Sequence, residues 1–141
     1  MKIRCFRDLE VWTLAMELVM ECYRITDRYP TDERYGLARE TQRSATSIPS
    51  NVAEGHSRHS TRAYLNHVNI ALGSHAELET QLEVAIRRNY ATADDFAKVT
   101  DLLVRVGQML HGLRRSLRLA RAAGSASMIL LVVSFSSWLV L

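Results

Sequence analysis

Two prolines and six glycines in 141 residues leave little punctuation for the many turns of an all-β fold. Two cysteines, Cys5 and Cys22, are too few for a disulfide framework, so the expected compartment is the reducing cytoplasm. The opening MKIRCFRDLEVW lacks the apolar run of a secretory leader. There is no glycine-rich phosphate loop, no His-Glu-x-x-His, and no Glu-x-x-His of the di-iron bundle type. His56-x-x-His59 with His67 invites a metal reading, but the pair straddles a predicted turn and lacks the spacing of a zinc site on helices. Neither cysteine lies in a nucleophile motif with a histidine base. The sequence therefore predicts no cofactor, no metal, no catalytic residue and no enzyme activity. Lysine is nearly missing too. Of 18 basic residues, only Lys2 and Lys98 are not arginine.

What remains is a helix-forming composition, 48% hydrophobic, with a net charge of +3. The arginine excess suits bidentate contacts to phosphate or carboxylate, although a GC-rich coding sequence produces the same bias. Asp8 is placed to cap a first helix with apolar residues at Leu9, Trp12, Met16, Val19 and Tyr23, ending near Tyr29-Pro30. Ala15, Leu18 and Cys22 widen that stripe, and Glu21 falls mostly outside it. A polar connection, Thr31-Asp32-Glu33, suits the positive start of helix two. That helix shows Leu37, Thr41, Ala45, Ile48, Val52 and Gly55 on one side. Pro49 predicts a kink, or a fresh helix start capped by Ser47, and Gly55 a C-terminal cap. The small residues Ser44, Ala45, Ser47, Ser50 and Ala53 suit the close approach of another helix.

Ser60 or Thr61 opens helix three, with Tyr64, Val68, Ala71, His75, Leu78, Leu82 and Ala85 in its stripe. His75 reads as a hydrogen-bonded core or interface histidine, and Gly73-Ser74 as a tight crossing. Thr92-x-x-Asp95 resembles a capping box before the cleanest seam, Phe96, Val99, Leu103, Val106, Leu110, Leu113 and Leu117. The expected fold is all-α: an antiparallel up-down-up-down four-helix bundle over residues 1–121. An uncharged apolar tail, 122–141, follows. Ala122–Leu141 carries no charge and follows an arginine cluster, which leaves a membrane tail, an oligomer contact and an incidental extension all open.

Four ordered motifs carry a family resemblance. They are Phe6-x-Asp8-Leu9-x-Val11-Trp12, Tyr35-Gly36-Leu37, Arg43-x-Ala45-x-Ser47-Ile48-Pro49-Ser50-Asn51-Val52-Ala53-Glu54-Gly55, and Ala71-x-Gly73-Ser74-x-x-Glu77-Leu78-Glu79. From about Phe6 to Leu117 the chain resembles the 23S rRNA intervening-sequence proteins of bacteria. The resemblance implies a four-helix bundle assembled as a ring-like homo-oligomer, a pentamer. The chain is also similar to the accessory variability protein of diversity-generating retroelements, which implies nucleic acid and a reverse transcriptase-like protein as partners. The apolar tail goes beyond the family pattern.

The central stretch then has two meanings. Arg43, Ser47, Asn51, Glu54 and Arg58, supported by Glu77, form either a nucleic-acid-binding surface or a subunit interface. A secondary basic face is Arg105, Arg114, Arg115, Arg118 and Arg121, a run without an acid. Two function classes follow: an oligomeric module associated with RNA or DNA through arginine, or a protein scaffold, with membrane tethering by the tail as one version.

Overall fold

Periodic apolar steps of three and four become four helices in the computed structural model, which describes residues 3–124. These are α1 (Glu10–Thr26), α2 (Leu37–Ser57), α3 (Thr61–Arg87) and α4 (Ala93–Ala122), with short 3₁₀ turns at Phe6–Asp8 and Thr31–Glu33. No strand occurs among the described residues. Each helix packs against two others: α1 and α3 each lie between α2 and α4. Side-chain pairs fix the direction. Ser44 meets Glu77, Ser47 meets Ser74 and Asn51 meets His67, so α2 and α3 run opposite ways. Glu21–Lys98 and Arg24–Asp95 show the same for α1 and α4. The expected all-α four-helix bundle is the observed one, with α2 antiparallel to α3 and α1 to α4. The tail beyond Gly124, and with it the membrane reading, lies outside the described residues.

The core is built from Leu18, Cys22 and Ile25 of α1, Ile48 and Val52 of α2, Val68 and Leu78 of α3, and Val99, Val106, Leu110 and Leu117 of α4. Every predicted seam residue of α4 is buried, and the Thr92/Asp95 capping box is present. Ser60 caps α3 by accepting from the Ala63 N–H. Glu33 does what its position before α2 suggests: its carboxylate accepts the Leu37 N–H at 2.9 Å and the Tyr90 hydroxyl at 2.7 Å.

Five local expectations are corrected in whole or in part. Asp8 does not cap α1, because its carboxylate turns back to the N–H groups of Arg4 and Cys5, at 2.8 and 3.2 Å. The buried line of α1 is rotated toward Leu14, Ala15, Leu18, Cys22 and Ile25, leaving Tyr23 46% exposed and burying Glu21. Pro49 sits inside an unbroken α2, with no fresh start at Ser47, whose hydroxyl instead bonds Ser74 at 2.8 Å. Gly55 is a buried helical position rather than a cap, because a Cβ there would meet Tyr64 Cδ2 at 2.7 Å and His67 Cβ at 2.8 Å. The tight crossing expected at Gly73-Ser74 is made by Ser74, which bonds Ser47 of α2, and not by Gly73. A Cβ at Gly73 meets nothing within 4 Å, whereas one at Gly107 would strike His75 Nε2 at 2.8 Å.

Candidate nucleic-acid interface

Residues spaced four apart share a helix face, so Ser47 and Asn51 of α2 look together at α3. The structure joins them in a continuous polar seam. The Asn51 side-chain N–H₂ donates to the Ser47 carbonyl at 2.9 Å and the Ser47 hydroxyl at 3.1 Å, while its oxygen meets His67 Nδ1 at 3.1 Å. His67 also reaches toward Glu54, with Nε2 3.7 Å from the carboxylate. Glu54 in turn accepts from Arg58 at 2.6 Å, and that bond above all, then His67, holds its carboxyl below the usual carboxylate range. At the other end Ser44 donates to Glu77, at 3.4 Å.

Arg43 is not part of this seam. It shares a shallow groove on the α1 side of α2 with Tyr23, Arg39, Ser47 and Ser50, and among the described residues no hydrogen bond joins it to the seam. Fifteen positions separate it from Arg58, about 22 Å along a helix. The six predicted residues therefore divide into three arrangements. Ser47, Asn51, Glu54 and Arg58 are linked through His67, Glu77 pairs with Ser44, and Arg43 shares only a groove with Ser47 and lies far from Arg58.

The secondary basic residues also divide. At 3.6 residues per turn, Arg114, Arg118 and Arg121 fall within about 60° of one another, whereas Arg105 lies roughly 140° around the helix from Arg118. Arg105 is 3.7 Å from Asp101. Arg114 donates to His111 Nδ1 at 3.0 Å; with burial, which acts more strongly, it keeps that imidazole below its ordinary pKa. Arg115, Arg118 and Arg121 have no ion-pair partner among the described residues. Arg118 and Arg121 border a groove whose other wall is α3, with Arg62, Asn66 and Asn69. Sequence reasoning missed those three. The signal was available: 62, 66 and 69 are spaced four and three apart, and no acid occurs between Gly55 and Ala76.

Among the described residues, no group of three or more His, Cys, Asp and Glu side chains is arranged to hold a metal ion. Nor is any described helix long and apolar enough to cross a membrane. A family model described as "23S rRNA-intervening sequence protein" matches residues 7–112. The chain is similar in structure to a protein of unknown function from the S23 ribosomal protein family of Bacteroides thetaiotaomicron VPI-5482. The TM-score is 0.68 at 23% identity, over 74% of this chain and 97% of that one. At that identity the likeness speaks for the fold alone. No curated protein matches the chain.

Proposed function

Because the chain belongs to the 23S rRNA-intervening sequence protein family, we propose that it is a non-enzymatic, homo-oligomeric bundle that associates with RNA through an arginine-rich surface. The observation that carries this reading is a separation of charge along the chain. From Leu102 to the end of α4 there are five arginines and no carboxylate, and three of those arginines, Arg115, Arg118 and Arg121, have no ionic partner among the described residues. An unpaired guanidinium presents its donor fork to a phosphate without first breaking a salt bridge. Repetition around an oligomer multiplies such weak contacts.

The test is binding of the full-length chain to a structured RNA and a matched DNA between 50 and 200 mM salt. Phosphate-driven binding weakens steeply with salt because counterions are released on association. An affinity that stays flat across that range, or no binding at its low end, removes the RNA reading. The second reading, a protein scaffold, is favoured by large apolar side chains left in solvent, chiefly Tyr35 at 80% and Met20 at 64% exposed.

A further inference from the structure

The N-terminal half of α3 and the C-terminal half of α4 leave a groove of about 480 Å³ between them. Arg62 and Asn66 of α3 stand across it from Arg121, and Asn69 lies beside Arg118 and Arg121 where the groove continues. Its floor is the buried Leu65. Neither wall offers a carboxylate: the chain has none from Gly55 to Ala76 and none after Asp101. None of the three arginines has an ion-pair partner among the described residues. Three unpaired cations and two primary amides thus face one cleft with nothing anionic to neutralise them.

We propose that this groove seats the sugar-phosphate backbone of a single-stranded RNA. Arg62, Arg118 and Arg121 hold phosphates, and Asn66 and Asn69 bond ribose hydroxyls. The proposal rests on the RNA-association reading above and names the place where contact is made. Two helices packed about 8–10 Å apart leave room between their outer edges for one strand and not for a duplex. From residue 62 to residue 69 is about 10 Å along α3, the length of about three nucleotide steps at a stacked rise of about 3.4 Å per strand. Guanidinium forks suit phosphate oxygens in pairs. An amide both donates and accepts, as a 2′-hydroxyl does, and that hydroxyl is the group by which a protein tells RNA from DNA. An acidic peptide is the poorer match, because the groove lined by these residues has no aromatic wall to anchor a side chain.

The experiment uses the full-length chain and a labelled single-stranded oligoribonucleotide of about 12 nucleotides, with the same sequence as DNA, read by anisotropy across a salt series. Asn66→Ala with Asn69→Ala is expected to weaken RNA binding about tenfold, with the salt slope unchanged and DNA affinity nearly unaffected. Arg118→Gln with Arg121→Gln is expected to flatten the logarithmic salt slope by about 1.4 for both strands. Arg34→Gln is the control. Its neighbour Glu33 bonds Tyr90 beyond the C-terminal end of α3, far from the groove, so less than a twofold change is expected. All these side chains except Leu65 are exposed, and thermal melts should show each variant folded. If wild-type protein binds RNA with a steep salt slope but the groove variants bind as well as Arg34→Gln, the groove is wrong and the RNA reading stands. Equal losses on RNA and DNA from the asparagine pair overturn the ribose contact. If wild-type protein does not bind RNA at low salt, both fall.

Discussion

A single histidine decides where α3 and α4 can touch. His75 Nε2 donates to the Leu103 carbonyl at 2.7 Å, and the ring lies where a Cβ on residue 107 would be. Gly107→Ala is expected to destabilise the fold by about 1–3 kcal/mol through overpacking. The loss should shrink in a His75→Ala background, because the two changes act on the same contact. Gly73→Ala, on an exposed turn with open space around it, is expected to stabilise by roughly 0.5–1 kcal/mol from helix propensity alone. Urea titrations of the four variants check both signs, and a destabilised Gly73→Ala would contradict the placement of that residue. The sequence made His75 legible as a bonded histidine, because an imidazole on an apolar stripe needs a partner. It could not show which glycine makes way for it. That depends on the relative height of two helices 28 positions apart in contact, a quantity no single helix encodes.

At the level of the element, α1 shows why a periodic pattern can be right and its phase wrong. Trp12, Met16 and Tyr23 are spaced as well as Leu14, Leu18 and Ile25, and only packing against two neighbours selects the second set. That rotation brings Glu21 to the seam with α4, where Lys98 (2.8 Å) and Arg24 (2.7 Å) bond its carboxylate. These bonds, Lys98's first, hold the group below its ordinary value of 4.5. A carboxyl whose folded pKa is depressed contributes its stability above the unfolded value and loses it as pH falls through the folded one. Glu21→Gln is therefore expected to lower stability near neutrality by about 1 kcal/mol, modest because Lys98 and Arg24 are solvent-exposed in part. Below pH 4.5 the variant's stability should fall less steeply than that of the wild type. Denaturant midpoints measured from pH 7 to pH 3 test this, and parallel curves would count against the Glu21 clamp.

For the whole molecule, the α4 seam and the order of four helices were readable because both follow from local period and short connections. The basic groove was half readable. Its α4 side was singled out through Arg118 and Arg121, but its α3 side, Arg62, Asn66 and Asn69, lies on the outer face of a helix 27 residues long whose read positions, His75 and Gly73-Ser74, concern its packed faces. The small residues of α2 suited a close helix approach in sequence, and Ser47 makes one to α3; Asn51, read there as surface or subunit interface, meets α3 as well. Assembly is a separate matter of mass. Sedimentation of the 16.0 kDa chain is expected to give a fixed multiple of that value, five for the ring. A single species at monomer mass across micromolar concentrations would remove the homo-oligomer from the proposed function.

The seam between α2 and α3 also bears on how the chain reaches its fold. Only Arg58, His59 and Ser60 separate the two helices, with His59 taking the left-handed turn at φ 51°. Closing so short a loop costs little entropy, and the hydroxyl and amide pairs across it fit one register only. The hairpin is thus the part of the chain placed to nucleate, and Asn51→Ala should act mainly by slowing refolding, whereas Glu21→Gln should mainly hasten unfolding. Stopped-flow chevrons separate the two, and an Asn51→Ala effect confined to the unfolding limb would refute this order. During synthesis, α2 and α3 emerge before α4. A nascent chain that has closed this hairpin holds His75 without the Leu103 carbonyl it bonds in the finished fold, and its solubility in that interval depends on how quickly the last helix arrives.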